Sequence, residues 1–433
     1  LCAFGSLIHT PLPEVLHIVI EIESGFNIMV TRFNPEPGTA MHIDYTDSQK
    51  ALRRELRAYF GTLMTPELRE GTRGNEGGDA YKQVIRQLGK DGWLALGWPR
   101  EYGGQGRKYS EQLVFFEEAQ LAEVPLPFVT ISTVAPALIA LGSEEHKAFF
   151  LPKIAAGELH FAIGYTEPGA GTDLAALKTS AVRDGDEYVI NGSKIWTSSA
   201  EAADYIWLAA RTDPDAKPQH KGITIFMVDA RQPGFSFTPL YTVGGVRSNA
   251  SYYDNVRVPA SMIVGELNGG WKAITSQLNH ERVGLAAIGV QGWGLLQRVM
   301  TWAQTTDAGG GKRVADLPWV QSALAEVYTR LEAMRLMNWR MAWQLDTGEP
   351  DPAFSSAIKA YSTECLIAVD KLMLNVTGMS GALRRGSAGG ALNGDLEEHY
   401  RKCQINTFGG GVAEVMRDLI AQFGLGMSAY SRR

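Results

Sequence analysis

Apolar positions recur at helical spacing from residue 46 onward. Thr46 with Gln49 makes a capping box, and Leu52, Leu56, Tyr59 and Leu63 follow at intervals of four, three and four, which predicts an amphipathic helix over 46–63. The same period predicts helices over 78–95, 110–122, 130–141 and 143–156. Between the second and third lies the stretch Gly97–Gly106, too rich in glycine for regular structure. From about residue 160 the period shortens toward two. The segment 187–196 holds Asn191-Gly192 between apolar runs, the dipeptide of a two-residue hairpin turn, and Tyr205–Ala210, Gly222–Val228 and Tyr252–Val258 are expected as further strands. Helical periodicity returns near Trp271 and predicts helices over 270–306, 315–347, 352–378, 395–406 and 412–424, with the Gly/Ser-rich segment Gly378–Gly394 as a loop.

This succession predicts an α+β protein without internal repeats. A helical domain over 41–158 precedes a small β domain over 159–268 and a helical bundle over 269–433. The first forty residues differ: Pro11, Pro13, Pro35 and Pro37 break them, and Met41 stands just ahead of the first helix. The apolar run from His17 to Val30 is interrupted by Glu21, Glu23 and Ser24 and has no basic segment before it, so neither a secretory signal nor a membrane span is expected. Residues 1–40 are expected to be a poorly ordered leader or an upstream extension of the reading frame.

Composition narrows the function. With 433 residues, 45% of them hydrophobic and 20% charged, the chain can bury two or three sizeable cores. Its net charge of −6 argues against nucleic acid as a partner, because phosphate binding needs a basic face. The three cysteines, Cys2, Cys365 and Cys403, form no Cys-x-x-Cys pair or metal spacing, which points to a reducing cytoplasm and no metal site.

Candidate chemistry begins where the period changes. The run Ile163-Gly164-Tyr165-Thr166-Glu167-Pro168-Gly169-Ala170-Gly171-Thr172-Asp173 has three glycines and a proline, so it cannot form a helix interior, and its backbone N–H groups can approach a ligand closely. Taken alone it is either a plain turn or a ligand loop. Glu281, in Leu278-Asn279-His280-Glu281-Arg282-Val283, lies seven after Ile274, three after Leu278 and four before Leu285. That places it on the apolar stripe of a helix, where burial disfavours a carboxylate's charged form and suits it to act as a base.

Gly164–Asp173 resembles the flavin-loop signature of acyl-CoA dehydrogenases. Lys194-Ile195-Trp196-Thr197-Ser198 is similar to that family's second flavin motif, and Pro99 with Tyr102-Gly103-Gly104-Gln105-Gly106 to its Pro-x-x-Tyr-Gly-Gly-x-Gly pattern. The similarity runs in order from residue 42 to about 430. It implies the acyl-CoA dehydrogenase fold, with an N-terminal helical domain, a central β-barrel-like domain and a C-terminal four-helix bundle. It also implies FAD as cofactor, an acyl-CoA thioester as substrate and an electron-transfer flavoprotein as electron acceptor. On this resemblance Tyr165, Thr166, Gly171 and Thr172 serve the flavin pyrimidine ring and pyrophosphate. Trp196, with Thr197, lies beside the isoalloxazine, and Ser198 offers its hydroxyl near flavin N5.

The resemblance also implies a carboxylate base that removes the α-proton as hydride leaves the β-carbon. Many members carry it in a loop before the last helix, and here Gly410 of Phe408-Gly409-Gly410-Gly411 falls at that place. The family's other base position, used by isovaleryl- and long-chain-type members, corresponds to Glu281, with Glu414 as the fallback. Gly410 can still offer its backbone N–H to the thioester carbonyl. Its missing side chain opens space, so a bulky or branched acyl group is expected.

Two departures point to a partner. Where the family has an Arg-x-x-Phe-Gly pattern reaching a neighbouring subunit's flavin, residues 304–312 hold neither Arg nor Phe, though Lys312 offers a charge. The adenine motif is degraded to Asn375-Val376-Thr377-Gly378-Met379-Ser380-Gly381. The chain resembles the catalytic-base-bearing subunit of the heterotetrameric acyl-CoA dehydrogenases of actinobacterial steroid side-chain breakdown. The alternatives are an acyl-CoA oxidase or flavin hydroxylase on the same fold, and a non-catalytic partner subunit.

Overall fold

The computed structural model describes Ile18–Glu21, Met29–Arg32 and residues 44–275 and 289–428. Two compact units part at residue 51. In the first, β1 (Ile18–Glu21) pairs antiparallel with β2 (Met29–Arg32), a ribbon within the expected leader, where the sequence predicts no element.

Helix α1 (Asp47–Leu63) comes next, and α2 (Pro66–Thr72), α3 (Asp79–Lys90), α4 (Tyr109–Leu121), α5 (Ala135–Leu141) and α6 (Glu144–Ala155) follow. The buried stripe of α1 is Leu52, Leu56 and Phe60, turned slightly from the expected one. Helix α2 was not expected. It starts because the Thr65 hydroxyl accepts the Leu68 N–H at 3.3 Å while Pro66 supplies a preset first turn. Helix α3 stops five residues short of the expected 95, because Gly92 turns left-handed at φ +78° and Trp93 N–H returns to the Leu88 carbonyl. The Tyr102–Gly106 motif folds back tightly on Trp98. Gly106 N–H donates to the Trp98 carbonyl at 2.9 Å, and a Cβ on Gly104 would sit 2.1 Å from that oxygen.

The β domain is one sheet, built from β3 (Phe161–Gly164), β4 (Ser180–Asp184), β5 (Glu187–Ile195), β6 (Tyr205–Arg211), β7 (Ile223–Asp229), β8 (Phe235–Tyr241), β9 (Arg247–Pro259) and β10 (Ile263–Val264). Its order is β10-β7-β6-β4-β5-β9-β8, with β3 parallel to β6. The path ends at β10 and β8 and does not close among the described residues, so the expected barrel-like domain is an open sheet. Strand β8 carries Pro239, which a terminal strand tolerates.

The expected hairpin at Asn191-Gly192 is not a turn. Both residues lie inside β5, where the register against β9 shifts between Ile190 and Gly192. A Cβ on Gly192 would stand 2.6 Å from the Thr179 hydroxyl, so the glycine answers the close approach of the segment that leads into β4. The real reversal is at Gly185-Asp186, between Asp184 and Glu187, with Gly185 at φ +64°. Strands β6 and β7 are almost wholly buried and close the sheet's core around Ile206, Leu208, Phe226 and Val228.

A helix begins over 270–275, and the chain is next described at 289. From there α7 (Val290–Thr305), the ribbon β11 (Asp307–Gly309) with β12 (Lys312–Arg313), α8 (Pro318–Thr347), α9 (Pro352–Thr377), α10 (Asp395–Cys403) and α11 (Ala413–Leu419) follow. Helices α7, α8 and α9 share a core of Leu296, Val299, Val327, Leu331, Val369 and Met373, capped by Leu396 and Cys403 of α10. Among the described residues no helix is long and apolar enough to cross a membrane.

Candidate active site

The end of β3 feeds the loop 165–173, and a buried ion pair holds that loop in place. Lys194 is 1% exposed and shares the inward parity of Tyr188 and Ile190 on β5. Its ammonium donates to the Glu167 carboxylate at 2.9 Å and to the Tyr165 carbonyl at 3.0 Å. Glu167, itself 8% exposed, also accepts the backbone N–H groups of Lys178 at 2.7 Å and Thr179 at 2.8 Å. Burial alone would push the Glu167 carboxyl up, but the Lys194 charge and the hydrogen bonds from Lys194 and Thr179 outweigh it and hold it below its ordinary value. Burial pulls the Lys194 ammonium down to about 8, against the raising effect of Glu167.

This clamp brings the two flavin-like motifs together. Ile195 donates its N–H to the Thr166 carbonyl at 2.8 Å, so the loop runs beside the end of β5. The next residue, Trp196, is left-handed at φ +64°, a strained conformation for a bulky side chain, and it is 52% exposed. What holds it there is the buried residue that follows. Thr197 N–H donates to the Asn249 carbonyl at 2.9 Å, the Thr197 and Ser251 hydroxyls lie 3.0 Å apart, and the Asn249 amide donates to the Thr197 carbonyl at 3.1 Å. The exposed Ser198 has its hydroxyl 3.0 Å from that of Ser248.

Thr166, Trp196 and Ser198 are therefore brought to one surface, with the fully buried Thr197 fixed beneath them. Tyr165 is half-buried, and its hydroxyl accepts the Trp207 indole N–H at 2.9 Å. Gly171 and Thr172 are exposed farther along the loop, and a Cβ on Gly171 would meet nothing within 4 Å. Sequence reasoning passed over Glu167, Lys194 and Asn249 as site residues. The signal available was Lys194 itself, a cation on the inward parity of a strand, which requires a buried counter-charge.

Gly410 is exposed and left-handed at φ +68°, in the loop between α10 and α11. Helix α9 anchors that loop: the Lys359 ammonium donates to the carbonyls of Asn406 and Gly409, the latter at 2.8 Å. Helix α10 reaches the β domain, where Arg401 donates to the Val243 carbonyl at 2.6 Å. Glu281 lies outside the described residues. Glu414 is exposed in the first turn of α11. Lys312 and Arg313 are exposed on the β11–β12 ribbon, and the degraded adenine motif forms the end of α9 and the short turn after it.

One further cluster lies in the bundle. Asp370 of α9 accepts from His399 at 2.7 Å and from the Cys403 thiol at 3.4 Å. Burial and the nearby Asp370 charge push the Cys403 thiol up. The three side chains are close enough for a metal ion, but His399 and Cys403 both bond the same Asp370 oxygen, as in a hydrogen-bonded core.

A sheet domain between two helical domains, with a loop-and-tryptophan surface at its edge, defines a class of fold, and comparison with known proteins gives the family. Residues 46–158, 162–256 and 268–425 match, in turn, the N-terminal, middle and C-terminal domains of acyl-CoA dehydrogenases. The chain is 50% identical over 402 residues to acyl-CoA dehydrogenase FadE26 of Mycobacterium tuberculosis, covering 90% of this chain and 100% of that protein. Two solved structures superpose with a TM-score of 0.85: the Tcur3481-Tcur3483 steroid ACAD, at 52% identity, and the ChsE4-ChsE5 complex from Mycobacterium tuberculosis, at 51%. Each comparison covers 90% of this chain and 100% of the other. The chain belongs to the acyl-CoA dehydrogenase family. Its relatives there are flavoprotein oxidoreductases acting on CH–CH groups.

Proposed function

We propose that this chain is the base-bearing subunit of a hetero-oligomeric, FAD-dependent dehydrogenase for a bulky acyl-CoA of the steroid side-chain type. The observation that carries the reading is the clamped surface in which Ile195 holds Thr166 beside the strained, exposed Trp196. That surface fits a flavin: a flat aromatic face stands beside hydroxyls and an exposed loop of small residues. Tyr165, Thr166, Gly171 and Thr172 would hold the cofactor on one side, and Trp196, Thr197 and Ser198 on the other. FAD, when bound, supplies the two-electron acceptor for the hydride.

The chain's own residues supply the rest. Glu281 takes the α-proton, the electrons of that C–H bond become the new Cα=Cβ bond, and the β-hydrogen leaves with its electron pair. Gly410 offers its N–H to the thioester oxygen, where negative charge develops as the α-proton leaves. Trp196 shields the reacting carbons from water. An electron-transfer flavoprotein takes the electrons onward, in the cytoplasm.

Support for the partner and the substrate class comes from two relatives. The ChsE4-ChsE5 structure is by its name a complex of two components, and the Tcur3481-Tcur3483 protein is by its name a steroid enzyme. The test is to purify the chain alone and co-expressed with a related acyl-CoA dehydrogenase chain, then measure flavin content and turnover of a steroid side-chain CoA thioester. The reading predicts stoichiometric FAD and activity only in the co-expressed complex. Full FAD and full activity in the isolated chain would overturn the partner requirement, and a flavin-free, inactive complex would overturn the function.

A further inference from the structure

The loop that carries Gly410 is pinned by one side chain from a different element. Lys359 lies in the second turn of α9, and its ammonium donates to two carbonyls of the loop, those of Asn406 and Gly409. The second bond, at 2.8 Å, fixes the peptide plane joining Gly409 to Gly410. Among the described residues the only cis peptide bond is elsewhere, between Lys217 and Pro218, so this peptide is trans. In a planar trans peptide the C=O and N–H point in opposite directions. With its carbonyl tied to Lys359, the peptide must aim the Gly410 N–H away from α9. That N–H has no hydrogen-bond partner among the described residues.

We propose that Lys359 is a positioning residue, which aims the Gly410 N–H at the substrate's thioester oxygen through the Gly409 carbonyl. The inference rests on the reading that Gly410 serves that oxygen. Lys359 would act on that oxygen only through the peptide it holds. Its effect is twofold. It fixes the direction of a donor in a stretch of glycines, a residue with many accessible backbone conformations, where Gly410 and Gly411 sit at φ +68° and +109°. Its positive charge on the carbonyl also polarises the amide, which makes the N–H a stronger donor. A lysine suits the task because a point charge with several donors can hold two carbonyls at once.

The experiment uses the co-expressed holoenzyme with Lys359→Met, which keeps the length of the side chain but removes its donors, and Lys359→Arg, which keeps the charge. Three readouts are compared: amide hydrogen exchange over residues 404–412, kcat and KM for a steroid side-chain CoA thioester, and the infrared band of a 13C-labelled thioester carbonyl in the complex. Lys359→Met is expected to speed exchange in the loop, to lower kcat by roughly tenfold to a hundredfold with KM and FAD content unchanged, and to move the carbonyl band back toward its value in water. Lys359→Arg is expected to recover part of each effect. Unchanged exchange would overturn the inference. So would a lower melting temperature with kcat and the carbonyl band intact, because that is the signature of a merely structural tie. If the wild-type complex neither turns over the thioester nor shifts its carbonyl band, the proposed function fails instead, and the exchange measurement still decides whether Lys359 orders the loop.

Discussion

The Lys194 ammonium lies 2.9 Å from the Glu167 carboxylate, both side chains are buried, and between them they tie the last inward position of β5 to the loop that follows β3. Removing one member leaves the other as an uncompensated buried charge. Lys194→Met or Glu167→Gln alone is therefore expected to cost about 3–5 kcal/mol, whereas the double variant should lose much less than the sum. Denaturant titration of the four proteins measures the coupling. Additive losses would mean that the two groups do not act as a pair.

The same pair predicts how stability depends on pH. The Glu167 carboxyl titrates below its ordinary 4.5 in the folded protein, so the fold binds fewer protons here than the unfolded chain does. Its contribution is present above 4.5 and is lost as pH falls through the lowered folded value. Below pH 4.5 the wild type should lose stability more steeply than Glu167→Gln, and the two curves should converge at the acid end. Lys194 acts at the alkaline end with the same sign. Its value of about 8 lies below the ordinary 10.5, so between those limits the unfolded chain holds the extra proton and this group's contribution rises with pH.

Trp196 pays for its exposed position with a left-handed backbone. Trp196→Gly should relieve that strain and leave the melting temperature equal or higher, by an amount corresponding to about 1 kcal/mol, while flavin retention in the co-expressed complex falls. A variant that both melts early and keeps its flavin would show that the ring serves the fold instead.

Much of the architecture was legible because periodicity reports burial. The change from helical spacing to alternation near residue 160 marks the start of β3, and the long apolar stripes of the last third became α7, α8 and α9. Local chemistry misled where two causes share one signature. Asn191-Gly192 has the composition of a turn, but its glycine answers the approach of Thr179, a contact fixed only by the packing of the sheet. Conversely, Thr65-Pro66 is a helix-start signal, but the helix behind it has only seven residues, too few to show a periodic pattern. The motif residues Thr166, Trp196, Thr197 and Ser198 were legible as a group. The clamp beneath them was not, because Glu167 and Lys194 are 27 residues apart and meet only once β3 and β5 are in place. Lys359 left no trace in the pattern, since one lysine on a helix is ordinarily a solvated charge.

Glu281 is the proposed base for the α-proton. The most direct measurement is rapid mixing of the co-expressed Glu281→Gln complex with a steroid side-chain CoA thioester, following flavin absorbance. Normal FAD content, normal binding of the thioester and a rate of flavin reduction lowered by several orders of magnitude are expected, because the amide cannot accept the proton. Reduction at the wild-type rate would contradict the account.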